Sequence, residues 1–169
     1  MLHKLNTNQN KLNPNRQQQW LKVTLAEYVE QRNGVPLGDS NSLQNMLRRS
    51  FGASSFAGFW QYWNPIWGYG LGKYVYSPLQ RVLPMAIALI MTFVISGALH
   101  DLVTMALRRS VTFFFTPWFF ILGVGVVVGR AVKMDLSNYS WWIRASVNLI
   151  YLILGAVLTI LAKRVLDIP

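Results

Sequence analysis

The apolar run PMAIALIMTFVISGALHDLVTMAL, residues 84–107, decides the fold class of this chain. Its only ionisable side chains are His100 and Asp101. Two further apolar runs, residues 111–128 and 145–162, carry no charge. About 20 apolar residues in a helix cross the hydrocarbon core of a bilayer, and each of the three runs is close to or above that length. The sequence therefore predicts an all-α membrane protein with about three transmembrane helices in residues 83–169.

The composition of the whole chain agrees with this prediction. Hydrophobic residues make up 53% of the 169 residues and charged residues only 13%, about half the ~25% that is usual in a soluble domain. So little charge would not cover the surface of a soluble enzyme. The chain has no cysteine and only two histidines, which excludes disulfides, zinc-thiolate sites and a multi-histidine metal site within one chain. We expect no bound metal.

The net charge of +10 points to a partner and to an orientation. The basic residues flank the apolar runs, so we expect membrane lipids with anionic headgroups, and no nucleic acid, as the partner. Twelve Lys and Arg residues precede the first run or lie between the second and third runs, against four elsewhere. Since cytoplasmic segments are enriched in Lys and Arg, the count predicts a cytoplasmic N-terminus.

Residues 1–50 form a polar, amide-rich N-terminal region. Residues 1–19 show no apolar periodicity, and we expect this part of the region to be disordered. The basic start is not followed by an apolar stretch, so no cleavable secretory signal is predicted. From Trp20 the apolar residues fall at helical spacing, which predicts a short surface helix ending near Asn33 and Gly34.

Residues 51–82 form an aromatic segment. Aromatic side chains are concentrated between Phe51 and Tyr76, and proline and glycine interrupt the segment repeatedly. A spanning helix is therefore not expected here. Trp and Tyr favour the level of the lipid headgroups, because their rings are apolar and one edge can form a hydrogen bond. We interpret the aromatic segment as interfacial or re-entrant and packed against neighbouring helices.

A row of polar side chains inside the first run is the main functional clue. Thr92, Ser96, His100 and Thr104 are each four residues apart, and Arg108 ends the row. Ionisable residues within a membrane helix are costly, so this stripe is expected to face a protein interior or a water-filled cavity. His100 could serve as a general base there, or it could only cross-link helices by hydrogen bonding.

Asp101 is adjacent to His100 and belongs to a different face of the predicted helix. Neighbouring residues on a helix point about 100° apart, so His100 and Asp101 are not a preformed acid–base pair. For Asp101 we expect the role of an acid near the helix end, paired with Lys or Arg close to the membrane interface.

Three segments, in order over about 50 residues, resemble the signatures of the membrane-bound O-acyltransferase family, closest to its wax-synthase-like branch. The first is SFAGFWQYWN, residues 55–64, which resembles the FWxxWN signature. The second is KYVYSPL, residues 73–79, which looks like the Y-x-P-L segment. The third is TFVISGALHD, residues 92–101, which is similar to the TF-x-x-SG-x-x-H-[DE] segment. The resemblance extends from residue 55 to roughly residue 107.

The resemblance implies a transfer of an acyl group from a thioester, acyl-CoA or an acyl carrier protein, to a hydroxyl acceptor. By the same resemblance His100 corresponds to the catalytic histidine and Asn64 to the family's Asn/His position. Trp60, Trp63 and Ser96, which belong to the same motifs, are then expected to contact substrate. For Asn64 a second reading stays open and is compatible with the first. It could be the N-cap of a helix that has Pro65 at its first position.

The chain also departs from the family, whose members carry many more transmembrane segments around a tunnel. Three helices alone cannot enclose donor and acceptor channels. Other membrane subunits or self-association are therefore expected to supply the missing walls, or the chain has lost its catalytic function. Two functions follow: an acyltransferase that works within an assembly, and a non-catalytic membrane subunit that stabilises a larger complex.

Overall fold

The computed structural model describes residues 23–109 and 113–166, and within these ranges the chain is helical and has no strand. Two short helices come first, and the aromatic segment follows as three short helices and one π-helical turn. Three longer apolar helices complete the structure. In chain order the elements are α1 (Leu25–Asn33), α2 (Ser42–Phe51), α3 (Phe56–Tyr62), α4 (Pro65–Leu71), a π-helical turn (Gly72–Tyr76), α5 (Ser77–Leu79), α6 (Met85–Arg108), α7 (Phe115–Ala131) and α8 (Trp141–Leu166).

Helix α1 has well-formed ends. The Thr24 hydroxyl accepts a hydrogen bond from the Glu27 backbone N–H, and the Glu27 carboxylate accepts one from the Thr24 N–H. This reciprocal pair satisfies two donors that the first turn leaves free. The helix ends at Asn33, where Gly34 takes the left-handed conformation with φ 80°, so the predicted end is confirmed. The predicted disorder of residues 1–19 and the predicted start at Trp20 lie outside the described residues.

Two helices, α6 and α8, are long and apolar enough to cross a membrane. Helix α6 matches its predicted run to within one residue at each end, and α8 extends its run by four residues at each end. The third apolar helix, α7, is 17 residues long and falls below the length of the other two. It also begins later than the predicted run 111–128, whose first two residues lie outside the described ranges.

Asp101 explains why α7 begins where it does. Its carboxylate, on α6, accepts hydrogen bonds of 2.8–3.0 Å from the backbone N–H groups of Phe114, Phe115 and Thr116. These N–H groups lie at the start of α7, where backbone donors have no hydrogen-bond partner within the helix. The acid therefore fixes the start of α7 against α6 and leaves Phe113 and Phe114 outside the helix.

The aromatic segment supplies the core of the protein. Phe56 and Phe59 of α3 are 2% and 1% exposed, and they cluster with Phe93 of α6 and with Leu122 and Val126 of α7. Pro65 and Pro78 occupy the first turns of α4 and α5, where a missing N–H costs nothing. The segment is therefore helical in short pieces and packs against the long helices.

Helix α8 buries small and polar residues and exposes large apolar ones. The buried residues of α8 are Asn148, Gly155 and Thr159. Its exposed face carries large aliphatic side chains: Leu149, Ile150, Ile153, Leu154, Val157, Leu158, Ile160 and Leu161. Helix α6 also buries small and polar residues, among them Thr92, Ser96 and Gly97, together with Phe93 of the aromatic core. Small residues at helix contacts and an apolar outer face are typical of helices that pack within lipid.

Gly97 lets α6 and α7 approach each other closely. A methyl group at this position would lie 2.6 Å from the Phe115 carbonyl oxygen and 2.8 Å from the Thr116 Cα. Because these atoms are backbone, the helices would have to separate. We expect Gly97→Ala to lower the free energy of unfolding by about 1–3 kcal/mol, measured by thermal unfolding in detergent micelles. Gly129→Ala is the matched control, since a methyl group there meets no atom within 4 Å. The control is expected to be neutral or stabilising, and equal losses in both variants would contradict the prediction.

Candidate functional site

The His100 side chain has a defined hydrogen bond on α6. Its Nδ1 lies 2.7 Å from the Ser96 backbone carbonyl oxygen, one helical turn earlier. A carbonyl oxygen can only accept, so Nδ1 carries the proton and donates it to this bond. In the neutral ring the lone pair is then on Nε2. The imidazole is thereby oriented as a base that presents Nε2.

Three aromatic rings surround the His100 imidazole. The centroid of Trp67, on α4, is 5.6 Å away at an interplanar angle of 82°. The centroids of Phe115 and Phe119, one turn apart on α7, are 5.5 Å and 5.2 Å away. His100 itself is half-buried. The base is therefore held by packing on two sides and by a hydrogen bond to its own helix.

A chain of hydrogen bonds connects Asn64 to His100 through two other residues. The Asn64 side-chain oxygen accepts from the Trp67 backbone N–H at 3.2 Å. The indole N–H of Trp67 donates to the Ser96 hydroxyl at 2.9 Å, and the Ser96 carbonyl oxygen accepts the hydrogen bond from Nδ1 of His100. Asn64 is thus the N-cap of α4, with φ 39° and Pro65 following it. The capping interpretation is confirmed, and the side-chain amide nitrogen of Asn64 makes no hydrogen bond within the part of the chain that the structure describes.

Trp60 and Trp63 lie in the aromatic core next to this chain of bonds. Trp60 contacts Phe93 and Phe119 edge-on or tilted, with centroids 5.0 Å and 5.9 Å away. Its indole N–H is buried and has no hydrogen-bond partner among the described residues. Trp63 stacks on Phe59 at 5.4 Å. Phe119 therefore contacts both Trp60 and His100, whereas Trp63 packs on Phe51 and Phe59.

Asp101 has a different role from the one expected. It is 2% exposed, and instead of a Lys or Arg its carboxylate binds the start of α7. Besides the three backbone donors described above, the Thr116 hydroxyl donates to it at 2.6 Å. The sequence prediction of an ion pair at the helix end was wrong, because a helix N-terminus can satisfy a buried carboxylate as a cation does.

The other members of the polar stripe are satisfied within α6. The hydroxyls of Thr92 and Thr104 donate to the carbonyl oxygens of Ala88 and His100, at 2.7 Å and 2.8 Å. Thr92 and Ser96 are 7% and 1% exposed, so the expectation that the stripe faces the protein interior is confirmed for its first half. Arg108, at the end of the stripe, is exposed.

Two side chains of the π-helical turn beside α4, Lys73 and Tyr76, have shifted pKa values. The Tyr69 hydroxyl accepts a hydrogen bond of 2.8 Å from the Lys73 ammonium group, and this bond raises the pKa of Lys73. Burial raises the pKa of the Tyr76 phenol. Both groups therefore keep the charge state they normally have at neutral pH, Lys73 cationic and Tyr76 neutral.

Sequence reasoning missed the three aromatic residues around His100. Phe115 and Phe119 are four residues apart and so share one face of α7, which is a detectable pattern. Nothing in the spacing of Trp67 predicts that its indole reaches Ser96, which is distant in sequence and lies on another helix. In comparisons with known proteins, no family model, no curated protein and no solved structure matches this chain.

Proposed function

We propose that this protein is a membrane-bound acyltransferase that transfers an acyl group from a thioester to a hydroxyl acceptor, with His100 as the general base. The observation that carries the proposal is the orientation of the imidazole. Its Nδ1 proton is committed to the Ser96 carbonyl, which leaves Nε2 to take a proton from an acceptor. The resemblance of residues 55–64, 73–79 and 92–101 to the O-acyltransferase signatures supports the same assignment.

In the proposed reaction the acceptor hydroxyl gives its proton to Nε2 of His100 while its oxygen attacks the thioester carbonyl carbon. The carbon–sulfur bond then breaks, and the imidazolium returns the proton to the leaving thiolate. The products are an ester and a free thiol. Positioned acid–base catalysis of this kind contributes a rate factor of about 10²–10⁴. Asn64, through its amide nitrogen, is the proposed donor to the acceptor or to the developing oxyanion.

The proposed setting is a membrane with about three spans, α6, α7 and α8, and a cytoplasmic N-terminus. The exposed aliphatic face of α8 supports contact with lipid, since its buried residues are small or polar. The aromatic segment is proposed to re-enter the membrane region. Supporting this, Trp67 bonds to Ser96, which lies halfway along α6.

We propose further that the active form is an assembly. The polar helix α1 packs on the aromatic segment. The ring centroids of Tyr28 and Tyr69 are 5.5 Å apart, and the Arg32 guanidinium donates a hydrogen bond of 3.0 Å to the side-chain oxygen of Gln61. This polar side of the molecule is unsuited to lipid. A polar surface of this kind can face another protein, and the proposed neighbour on this side is a second copy or another membrane subunit.

The alternative is a non-catalytic subunit built on the same scaffold. One observation favours it: the Asn64 oxygen and the Ser96 hydroxyl are both occupied by structural hydrogen bonds to Trp67. In this alternative the imidazole only joins α6 to the aromatic core, and the stripe holds no substrate.

The experiment that tests the proposal compares the lipids and surface glycans of cells by mass spectrometry. One culture produces the unchanged protein and the other produces His100→Ala at the same abundance in the membrane. A species that is lighter by one acyl group in the variant culture is expected, and it would identify the acceptor. Identical profiles of lipids and glycans would overturn the enzyme assignment and favour the non-catalytic subunit.

A further inference from the structure

The start of α8 borders two adjoining open clefts that lie away from His100. One has a volume of about 400 Å³ and the other about 720 Å³. Both are lined by Arg48 from α2 and by Trp141 and Arg144 from α8. We refer to them together as the arginine cleft. Its remaining lining residues include no acid: Asn33, Gly34, Gln44, Asn45, Leu47, Arg49, Phe51, Gly52 and Trp142.

The arginine cleft is held in shape by contacts between α2 and α8. The Trp141 indole N–H donates to the Arg48 carbonyl oxygen at 3.0 Å. Gly52 allows the Trp141 ring to lie directly against the chain, since a side chain there would overlap the indole. Further along α8, the amide of Asn148 donates to the carbonyl oxygens of Phe51 and Ala53. The cleft is thus a fixed feature of the packing.

The arginines of the cleft differ in what they already bind. Arg49 donates to the Arg32 carbonyl oxygen at 2.6 Å and so completes the end of α1. The Nε of Arg144 is buried and has no hydrogen-bond partner in the described part of the chain. For Arg48, the group engaged by Trp141 is its carbonyl oxygen, and its side chain is exposed. The guanidinium groups of Arg48 and Arg144 therefore border the cleft in addition to that of Arg49, which stabilises the fold.

The position of Arg144 argues for a bound anion. It lies in the first turn of α8, which contains no acidic residue. A helix N-terminus carries partial positive charge, so an unpaired arginine is unfavourable there. An anion in the cleft would interact favourably with the guanidinium and with the helix end at once. A phosphate group meets this requirement, because arginine can bind it through two parallel hydrogen bonds.

We propose that the arginine cleft binds the phosphate of an anionic glycerophospholipid headgroup. The cleft lies where α8, an apolar helix long enough to span a bilayer, begins. Trp141 and Trp142 pack edge to face at 4.9 Å in that place, and paired indoles favour the headgroup level. Leu47 and Phe51 offer apolar surface beside the arginines. This inference rests on the proposed membrane insertion of α8 and is independent of acyl transfer.

The test measures bound lipid by native mass spectrometry of the protein in dodecyl maltoside micelles. The probes are dioleoyl phosphatidylglycerol, dioleoyl phosphatidylcholine and glycerol 3-phosphate. We expect preferential binding of phosphatidylglycerol. Arg144→Gln and Arg48→Gln should each weaken it about fivefold, the contribution of one basic residue near an anionic lipid surface. Arg144→Lys should also weaken it, because an ammonium group cannot form the paired hydrogen bonds of a guanidinium.

Arg164→Gln is the matched control, since it removes the same charge from the exposed far end of α8. It should leave phosphatidylglycerol binding unchanged. An equal loss in this control, or full retention in Arg144→Lys, would mean that only general surface charge attracts the lipid, and would overturn the proposal. Equal binding of phosphatidylcholine would overturn it too. Glycerol 3-phosphate binding as tightly as the lipid would assign the cleft to a soluble phosphate instead. If Arg144→Gln does not fold, Arg48→Gln decides the outcome.

Discussion

Replacing His100 by Gln is expected to slow thioester cleavage by a factor of about 10²–10⁴, the usual contribution of a positioned general base. Glutamine is close in size to histidine, so the contacts with Trp67, Phe115 and Phe119 are largely kept. Its amide nitrogen is not basic, so glutamine cannot take the proton of the hydroxyl substrate. The measurement is release of free thiol from palmitoyl-CoA by membranes from producing cells, which also supply the acceptor. Because the chain has no cysteine, the protein itself gives no background with a thiol reagent.

Thr104→Val is the matched control for His100→Gln. Thr104 is the next member of the polar stripe, and its hydroxyl donates only to the His100 carbonyl oxygen. Valine keeps the shape of the side chain and leaves the imidazole in place. Thiol release should stay within about twofold, because no group that takes part in the proton transfer is removed. The lost hydrogen bond lowers the free energy of unfolding by only about 0.5–1.5 kcal/mol. Both variants must reach the membrane in equal amount. Equal thiol release by His100→Gln and the unchanged protein would contradict the role of His100 as base.

The long helices could be predicted from hydropathy, whereas one of their boundaries could not. The limits of α6 and α8 follow the apolar runs because burial in lipid or protein selects for continuous apolar sequence. The start of α7 is set by Asp101, which is 13 to 15 residues away from the donors it binds. A contact of this kind depends on how two helices are placed together, and a local pattern does not contain that information.

The aromatic segment shows the same limit of sequence reasoning. Its composition predicted packing against neighbouring helices, and Phe56 and Phe59 are buried as that requires. Its prolines and glycines argued against a spanning helix, and Pro65 and Pro78 each stand in the first turn of a short helix, of which the sequence suggested only the one at Pro65. Helix α2 was missed because it lies in a region dominated by polar residues.

The candidate site was predicted in outline and not in geometry. Spacing of four residues placed Ser96 and His100 on one face of a helix. The spacing could not tell which ring nitrogen holds the proton, because that depends on whether the Ser96 carbonyl or its hydroxyl is the partner. The structure decides the matter, since Nδ1 of His100 lies 2.7 Å from the Ser96 carbonyl oxygen, whereas the Ser96 hydroxyl accepts from the indole of Trp67.

Replacing Asp101 by Ala is expected to lower the free energy of unfolding by about 3 kcal/mol or more. The substitution leaves three backbone N–H groups and the Thr116 hydroxyl without their acceptor, and each hydrogen bond to a charged group contributes about 1.5–3 kcal/mol. The start of α7 would fray from α6, so the midpoint of thermal unfolding in micelles should fall by about 6–12 °C. Asp101→Asn keeps one carbonyl oxygen as acceptor, and its effect should be intermediate.

Asp135→Ala serves as the control for the loss of a carboxylate. Asp135 is exposed, and among the described residues its carboxylate accepts from the backbone N–H and the hydroxyl of Ser137. Because water can replace both bonds at this surface, the loss should not exceed about 1 kcal/mol. Comparing Asp101→Ala with His100→Gln then distinguishes the roles of these two adjacent residues. The histidine variant should lose thiol release and keep its unfolding temperature, and the aspartate variant should lose stability first. If Asp101→Ala abolished thiol release at an unchanged unfolding temperature, its carboxylate would belong to the reaction, and the assignment of Asp101 to the start of α7 would fail.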